Sequence, residues 1–155
     1  MKTKTRCIVF PIAIVLALAG IATLGVDTHS QWYINLIKPV FQPPPWAFGA
    51  AWAVIYGLIA YALVRVCLTG KPERKKLYGY FALNGFFNVI WNYLFFRLHN
   101  PLLSLIDIVL VFITIVILIR KTHAVDRTAS YLLYAYLGWV GFATVINYSI
   151  YMLNL

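Results

Sequence analysis

Apolar residues in this chain come in long unbroken runs, not in the alternation of a half-buried strand or the three-four spacing of a surface helix. Five such runs stand out, at residues 7–26, 46–64, 77–96, 102–119 and 129–153. Each is about 18 to 25 residues long, enough at about 1.5 Å per residue to cross a hydrocarbon core of about 30 Å. The pattern predicts an all-α integral membrane protein, a bundle of five transmembrane helices. Residues 1–155 form one domain, with residues 27–45 as an outer lid loop. Three prolines, Pro43, Pro44 and Pro45, precede the second run, Gly70 and Pro72 follow it, and Asn100-Pro101 turns the chain before the fourth. Turns this short predict that consecutive helices pack antiparallel.

The first run also fits a secretory signal, with a basic start, an apolar middle and Ala17-Leu18-Ala19 as a cleavage site. Its apolar character continues through Ile21, Ala22, Leu24 and Val26, which favours an uncleaved span. Composition agrees with the pattern: 63% hydrophobic and 11% charged residues, with mean hydropathy +0.82, exclude a water-soluble globule. The net charge of +9 raises the question of nucleic acid, but the positions of the charges answer it. Eleven basic residues, among them Lys4, Arg6, Arg65, Lys71, Arg74, Lys75 and Lys121, fall on one side of a five-span arrangement, against two, Lys38 and Arg97, on the other. This positive-inside bias predicts a cytoplasmic N-terminus and an outward lid loop and C-terminus. The basic residues then face anionic lipid headgroups of the bilayer, not nucleic acid. Cys7 and Cys67 fall at cytoplasmic helix ends, where a disulfide is not expected to persist, and no metal-ligand spacing is present.

Residues 32–52 hold four of the seven prolines and three of the five tryptophans, so the outer loop is stiff and aromatic where a linker is usually polar and loose. Below it, the second span carries Gly49, Ala53 and Gly57 at four-residue spacing, a stripe that lets helix backbones approach within the bundle or between protomers. Trp52 and Tyr56 form a second four-residue pair, either facing lipid or walling a pocket. Asn84, Asn88 and Asn92 place three amides on one face of the third span, for interhelical hydrogen bonds or for contacts to a bound molecule. Asp107, the one acid inside a span, should face the bundle and either find a partner, for which Arg97 is the candidate, or stay protonated. In the fifth span Tyr136, Trp139, Ala143 and Asn147 share a stripe suited to the wall of an apolar pocket. There is no acid pair, no nucleophile with a base, and no phosphate-binding loop. His29, His99 and His123 lie unpaired in loops or at helix ends.

Taken together, Trp32-Tyr33-x-x-Leu36-x-Lys38-Pro39 with Pro43-Pro44, then Trp52, Asn84-x-x-x-Asn88-x-x-Trp91 with Phe95-Phe96, and Tyr136-x-x-Trp139-x-x-Phe142-Ala143-Thr144 with Asn147 resemble the translocator protein family (TspO/MBR, relatives of the peripheral benzodiazepine receptor) over almost the whole chain. The resemblance implies a five-helix bundle, usually a homodimer, with a pocket beneath the first loop. By the same resemblance that pocket would take porphyrins, sterols and synthetic isoquinoline carboxamides as ligands, with no required cofactor. Carried over position by position, it would be lined by Tyr33, Trp52, Tyr56, Asn88, Trp91, Trp139, Ala143 and Asn147, under a lid that includes Trp32, Lys38, Pro39, Pro43 and Pro44. Some bacterial members are associated with light- and oxygen-dependent breakdown of protoporphyrin IX, for which Trp52 and Trp139 would be the catalytic residues. Transport or export of porphyrins or other hydrophobic molecules is the alternative, although the chain shows no internal repeat. Two departures stand out. Ala135 replaces a proline common in the family, and no basic residue follows Tyr148 or Tyr151, so the cholesterol-recognition pattern is incomplete.

Overall fold

The computed structural model describes residues 2–155, and among them every regular element is a helix. In chain order these are α1 (Lys2–Gly25), α2 (Gln31–Asn35), α3 (Pro45–Leu68), α4 (Arg74–Phe96), α5 (Pro101–His123) and α6 (Arg127–Leu153). Six helices therefore stand where five were expected. The additional one is α2, inside the predicted lid loop. Its start is set by Ser30, whose hydroxyl accepts from the Tyr33 amide and satisfies one of the N–H groups left unpartnered at a helix start. Five residues are too few to register as periodicity.

The long helices overrun the apolar runs and reach charged residues such as Arg65, Arg74 and Arg120, because backbone hydrogen bonding does not stop where hydrophobicity does. Pro45 and Pro101 occupy first-turn positions, where a missing N–H costs nothing, and Asn100 caps α5 by accepting from the Leu103 amide at 2.9 Å. Four segments, Lys4–Gly25, Pro45–Leu68, Pro101–His123 and Arg127–Leu153, are long and apolar enough to cross a membrane. The fifth long helix, α4, is diluted by Asn84, Asn88, Asn92 and a basic first turn.

The helices close a ring in which α1 packs on α3 and α4, α4 on α5, α5 on α6, and α6 back on α3. The short loop at residues 69–73 does not make α3 and α4 packed neighbours, contrary to the rule for consecutive helices. With α1 seated between them, space remains between α3 and α4, and two cavities open there. The close approaches of α1 are made at two glycines the sequence did not single out. A Cβ on Gly25 would lie 3.0 Å from the Asn92 Cβ, and one on Gly85 3.0 Å from a Leu18 methyl. The stripe of Gly49, Ala53 and Gly57 performs no such packing inside the chain, since a Cβ at either glycine meets nothing within 4 Å.

Two further expectations are corrected. Cys7 and Cys67 form a disulfide, their Cα atoms 5.4 Å apart. The start of α1 and the end of α3 meet at the basic end of the ring, a proximity that reasoning from compartment alone does not address. Arg97 does not reach Asp107. Its guanidinium donates to the Leu24 carbonyl at 2.9 Å and stands 3.8 Å from Asp27, tying the end of α4 to the end of α1. Asp107 turns instead into the helix interface, where it is buried and its Oδ2 has no hydrogen-bond partner. Arg97 lies past the end of its helix and is carried outward by the turn, whereas Asp107 follows the inward face of α5 with Ser104, Val111 and Ile115.

At the basic end, Asp126 links two helices. It caps α6 by accepting from the Ala129 amide at 2.7 Å, and it receives a two-pronged contact from Arg65 at 3.1 and 2.9 Å. The Arg65 hydrogen bond, aided by the Ala129 amide, holds its carboxyl below the ordinary carboxylate value of 3.8 against an opposing push from burial. A depressed folded-state pKa means that this stabilisation is present at neutral pH and is lost as pH falls through the folded value. Asp126→Asn retains an oxygen for the cap and loses the ion pair, at an expected cost of about 0.5–1 kcal/mol at pH 7. Asp126→Ala should lose about 1 kcal/mol more, for the cap. Thermal unfolding at pH 7 and below the carboxylate range tests this, because the gap between the parent chain and Asp126→Asn should close in acid.

Candidate functional site

At the end of the ring opposite the disulfide, a cavity of about 510 Å³ opens between α1, α3, α4 and α6 beneath the lid. The sequence places its aromatic walls by simple helical spacing. On α3, Phe48, Trp52 and Tyr56 are four residues apart and share a face. On α4, Trp91 and Phe95 are likewise four apart, their rings stacked at 5.1 Å and nearly parallel. Between these rings the lining is small: Ala19 and Ala22 from α1, Gly49 and Ala53 from α3, and Ala143 from α6.

The lid sits on this cavity through specific contacts. Trp32 of α2 stacks on His99 at 4.6 Å and meets Phe95 edge-on at 5.3 Å. His99 has φ 51°, a left-handed conformation uncommon for a residue with a side chain, and it is ring-stacked, not unpaired as the sequence suggested. Tyr33 packs on Phe96 at 5.4 Å and receives a long hydrogen bond from Gln42 at 3.4 Å. Burial raises the Tyr33 phenol above its usual value, with the Gln42 contact opposing, so the hydroxyl stays protonated at neutral pH. Lys38 folds back, its ammonium 2.6 Å from the Tyr33 carbonyl and 4.3 Å above the ring. Asn154, just past α6, clamps the Ile37 backbone, accepting from its N–H at 3.0 Å and donating to its carbonyl at 2.9 Å. Pro39 lies beyond this clamp, while Pro43 and Pro44 carry the chain into α3.

Of the eight pocket residues inferred from the sequence, Tyr33, Trp52, Tyr56, Trp91, Ala143 and Asn147 come together on this cavity. Asn88 does not line it. Its Oδ1 accepts from Tyr56 at 2.8 Å and its amide donates to the Tyr136 hydroxyl at 3.3 Å, making a polar crossbar from α4 to α3 and α6 of which Tyr56 alone reaches the cavity surface. Trp139 is also absent from the lining. It stands behind Phe48, ring centroids 5.6 Å apart, with its buried indole N–H unpartnered. The asparagine face expected on α4 divides into separate tasks. Asn84 ties α4 to Thr114 and the Val111 carbonyl of α5, Asn88 makes the crossbar, and Asn92 lines the cavity.

Asn147 is committed as well, accepting from the Trp91 indole at 2.9 Å and donating to Ser104 and the Pro101 carbonyl at 3.3 Å. The amides of Asn88 and Asn147 are therefore engaged within the protein, leaving a cavity with few polar anchors. Phe48 and Phe95 were not among the inferred site residues, although their four-residue spacing from Trp52 and Trp91 carried the signal. The α1 residues had none, because that helix is apolar on every side.

The profile of the TspO/MBR family matches residues 7–153. The chain belongs to the TspO/MBR family. Among its relatives is the Tryptophan-rich protein TspO of Archaeoglobus fulgidus, 36% identical over 92% of this chain and 95% of that one. The protein of the same name from Chlorobaculum tepidum is 36% identical over 86% of this chain and 85% of its own. The human Translocator protein is 31% identical over 80% of this chain and 75% of its own. Membership of the TspO/MBR family, with helices apolar and long enough to span, makes this an integral membrane protein. The helix α6 runs unbroken across Ala135.

Proposed function

We propose that this protein binds tetrapyrroles of the protoporphyrin IX kind, and synthetic isoquinoline carboxamides, in the cavity under the lid. The observation that carries the reading is the lining: broad rings of Phe48, Trp52, Trp91 and Phe95 interleaved with Ala19, Ala22, Gly49, Ala53 and Ala143. Such a surface takes up a flat apolar molecule, and the volume of about 510 Å³ lies in the range of small-molecule sites. In this reading α4 is the fifth span, its asparagines facing the interior, and the basic end of the ring faces the cytoplasm with the lid outward. The protein works as a homodimer in the bacterial inner membrane.

Protoporphyrin IX should quench tryptophan fluorescence saturably in detergent or nanodiscs. Trp52→Phe should weaken binding about tenfold or less, since one ring is replaced by a smaller one. Trp139→Phe, behind the wall, should change affinity less than Trp52→Phe. Equal affinity in the parent chain, Trp52→Phe and Trp91→Phe would overturn the assignment.

A second reading, light- and oxygen-dependent porphyrin breakdown, is favoured by Trp52 lying 5.3 Å from Tyr56 and 6.0 Å from Tyr136, centroid to centroid. These rings offer an electron path from the cavity. Illuminated protein should convert the porphyrin to one defined product, more slowly in Trp52→Phe. Equal bleaching by a variant that binds no porphyrin would reduce it to photosensitised damage.

A further inference from the structure

A second cavity, of about 750 Å³, lies at the basic end of the ring, on the far side of the crossbar made by Tyr56, Asn88 and Tyr136. Its walls come from α1, α3 and α4, with Tyr136 of α6 at the crossbar, and they are almost wholly apolar, with Ile14, Val15, Ile59, Leu63 and Phe81 among them. Three cations, Arg6, Arg74 and Lys75, line this largely apolar space, Arg6 from the first turns of α1 and the other two from the first turn of α4. Arg74 is held there by donating to the Cys67 carbonyl at 2.8 Å, which occupies one of its five N–H groups and leaves the others for an anion. Lining residues of α1 are open to the outside of the bundle, Phe10 being 68% exposed. The cavity therefore communicates with the surface that lipid chains would cover.

An apolar channel open to the bilayer and ending in three cations matches one kind of molecule, an acyl lipid with an anionic head. We propose that the inner cavity is a binding site for an anionic phospholipid, its acyl chain lying between α1, α3 and α4 and its phosphate held by Arg6, Arg74 and Lys75. A neutral zwitterionic lipid would place its own cation among these three and is disfavoured. The disulfide between Cys7 and Cys67 fixes one wall of the site by tying α1 to α3. Because the crossbar separates the two cavities, this site and the one under the lid can be filled independently.

The test is native mass spectrometry of protein delipidated in detergent and then offered phosphatidylglycerol or phosphatidylcholine of the same chain length. The parent chain should retain one phosphatidylglycerol, at least tenfold more than phosphatidylcholine. Arg6→Gln with Arg74→Gln and Lys75→Gln should abolish that preference, about one order of magnitude or more for three cations. Ala82→Trp, which fills the cavity from α4, should lower retention of both lipids while leaving porphyrin quenching unchanged, which also shows that the variant is folded. Equal retention of the two lipids by the parent chain, or undiminished retention in both variants, would overturn the proposal. So would displacement of the lipid by glycerol phosphate alone, since the site would then need no chain.

Discussion

Tyr136→Ala should destabilise the protein by about 3 kcal/mol, measured by thermal or denaturant unfolding in detergent. Tyr136 is the largest fully buried side chain among the described residues, and its hydroxyl accepts from the Asn88 amide at the centre of the crossbar. In a membrane protein the transfer part of such a loss is reduced, because lipid is as apolar as the core. The cavity part is not: the atoms around the missing ring lose their packing contacts whatever solvent surrounds the bundle. Tyr136→Phe keeps the ring and leaves the Asn88 amide without its acceptor, an expected loss of only about 0.6 kcal/mol. Equal losses for the two variants would show that the hydroxyl, not the bulk, holds the crossbar between the cavities. Removing the ring should also broaden porphyrin binding, since the two cavities would join.

Gly25→Val should cost about 2 kcal/mol, the usual penalty of overpacking. Its Cβ would lie 3.0 Å from the Asn92 Cβ and 3.2 Å from two carbons of the Tyr93 ring, and neither the Cβ nor the ring can swing aside as a flexible chain end can. Relief requires α1 to move off α4. That motion strains the Arg97 contact to Leu24 and widens the cavity at Thr23 and Val26. Gly20→Val on the same helix is the control. Nothing lies within 4 Å of a Cβ there, so it should be close to neutral. Thermal midpoints for the pair isolate packing from helix propensity, and similar midpoints would refute the close approach.

Much of the wall of the candidate site was legible in helical spacing, because residues four apart on a helix share a face in any fold. Tyr56, Trp91 and Asn147 reach the cavity for that reason. What spacing does not contain is the neighbour. Asn88 and Asn92 lie on one face of α4, yet one meets Tyr56 and Tyr136 while the other borders the cavity. Trp139 and Ala143 are likewise on one face of α6, and only Ala143 lines it. The lid showed its stiffness in its prolines, but its anchoring by Asn154, well over a hundred residues away in the chain, had no local sign.

By itself the sequence determined the class of the protein, an all-helical membrane chain with its positive charge gathered at one end. Those properties depend on composition, run length and charge position, which are local sums. Only the tertiary structure decided that α1 sits between α3 and α4, that Cys7 meets Cys67, that Arg97 turns to Asp27, and that a crossbar divides the interior into two cavities. Each of these depends on which helix faces which, and in an apolar surrounding that choice rests on close packing at single residues such as Gly25 and Gly85 and on a few interhelical hydrogen bonds, neither of which has a period to read.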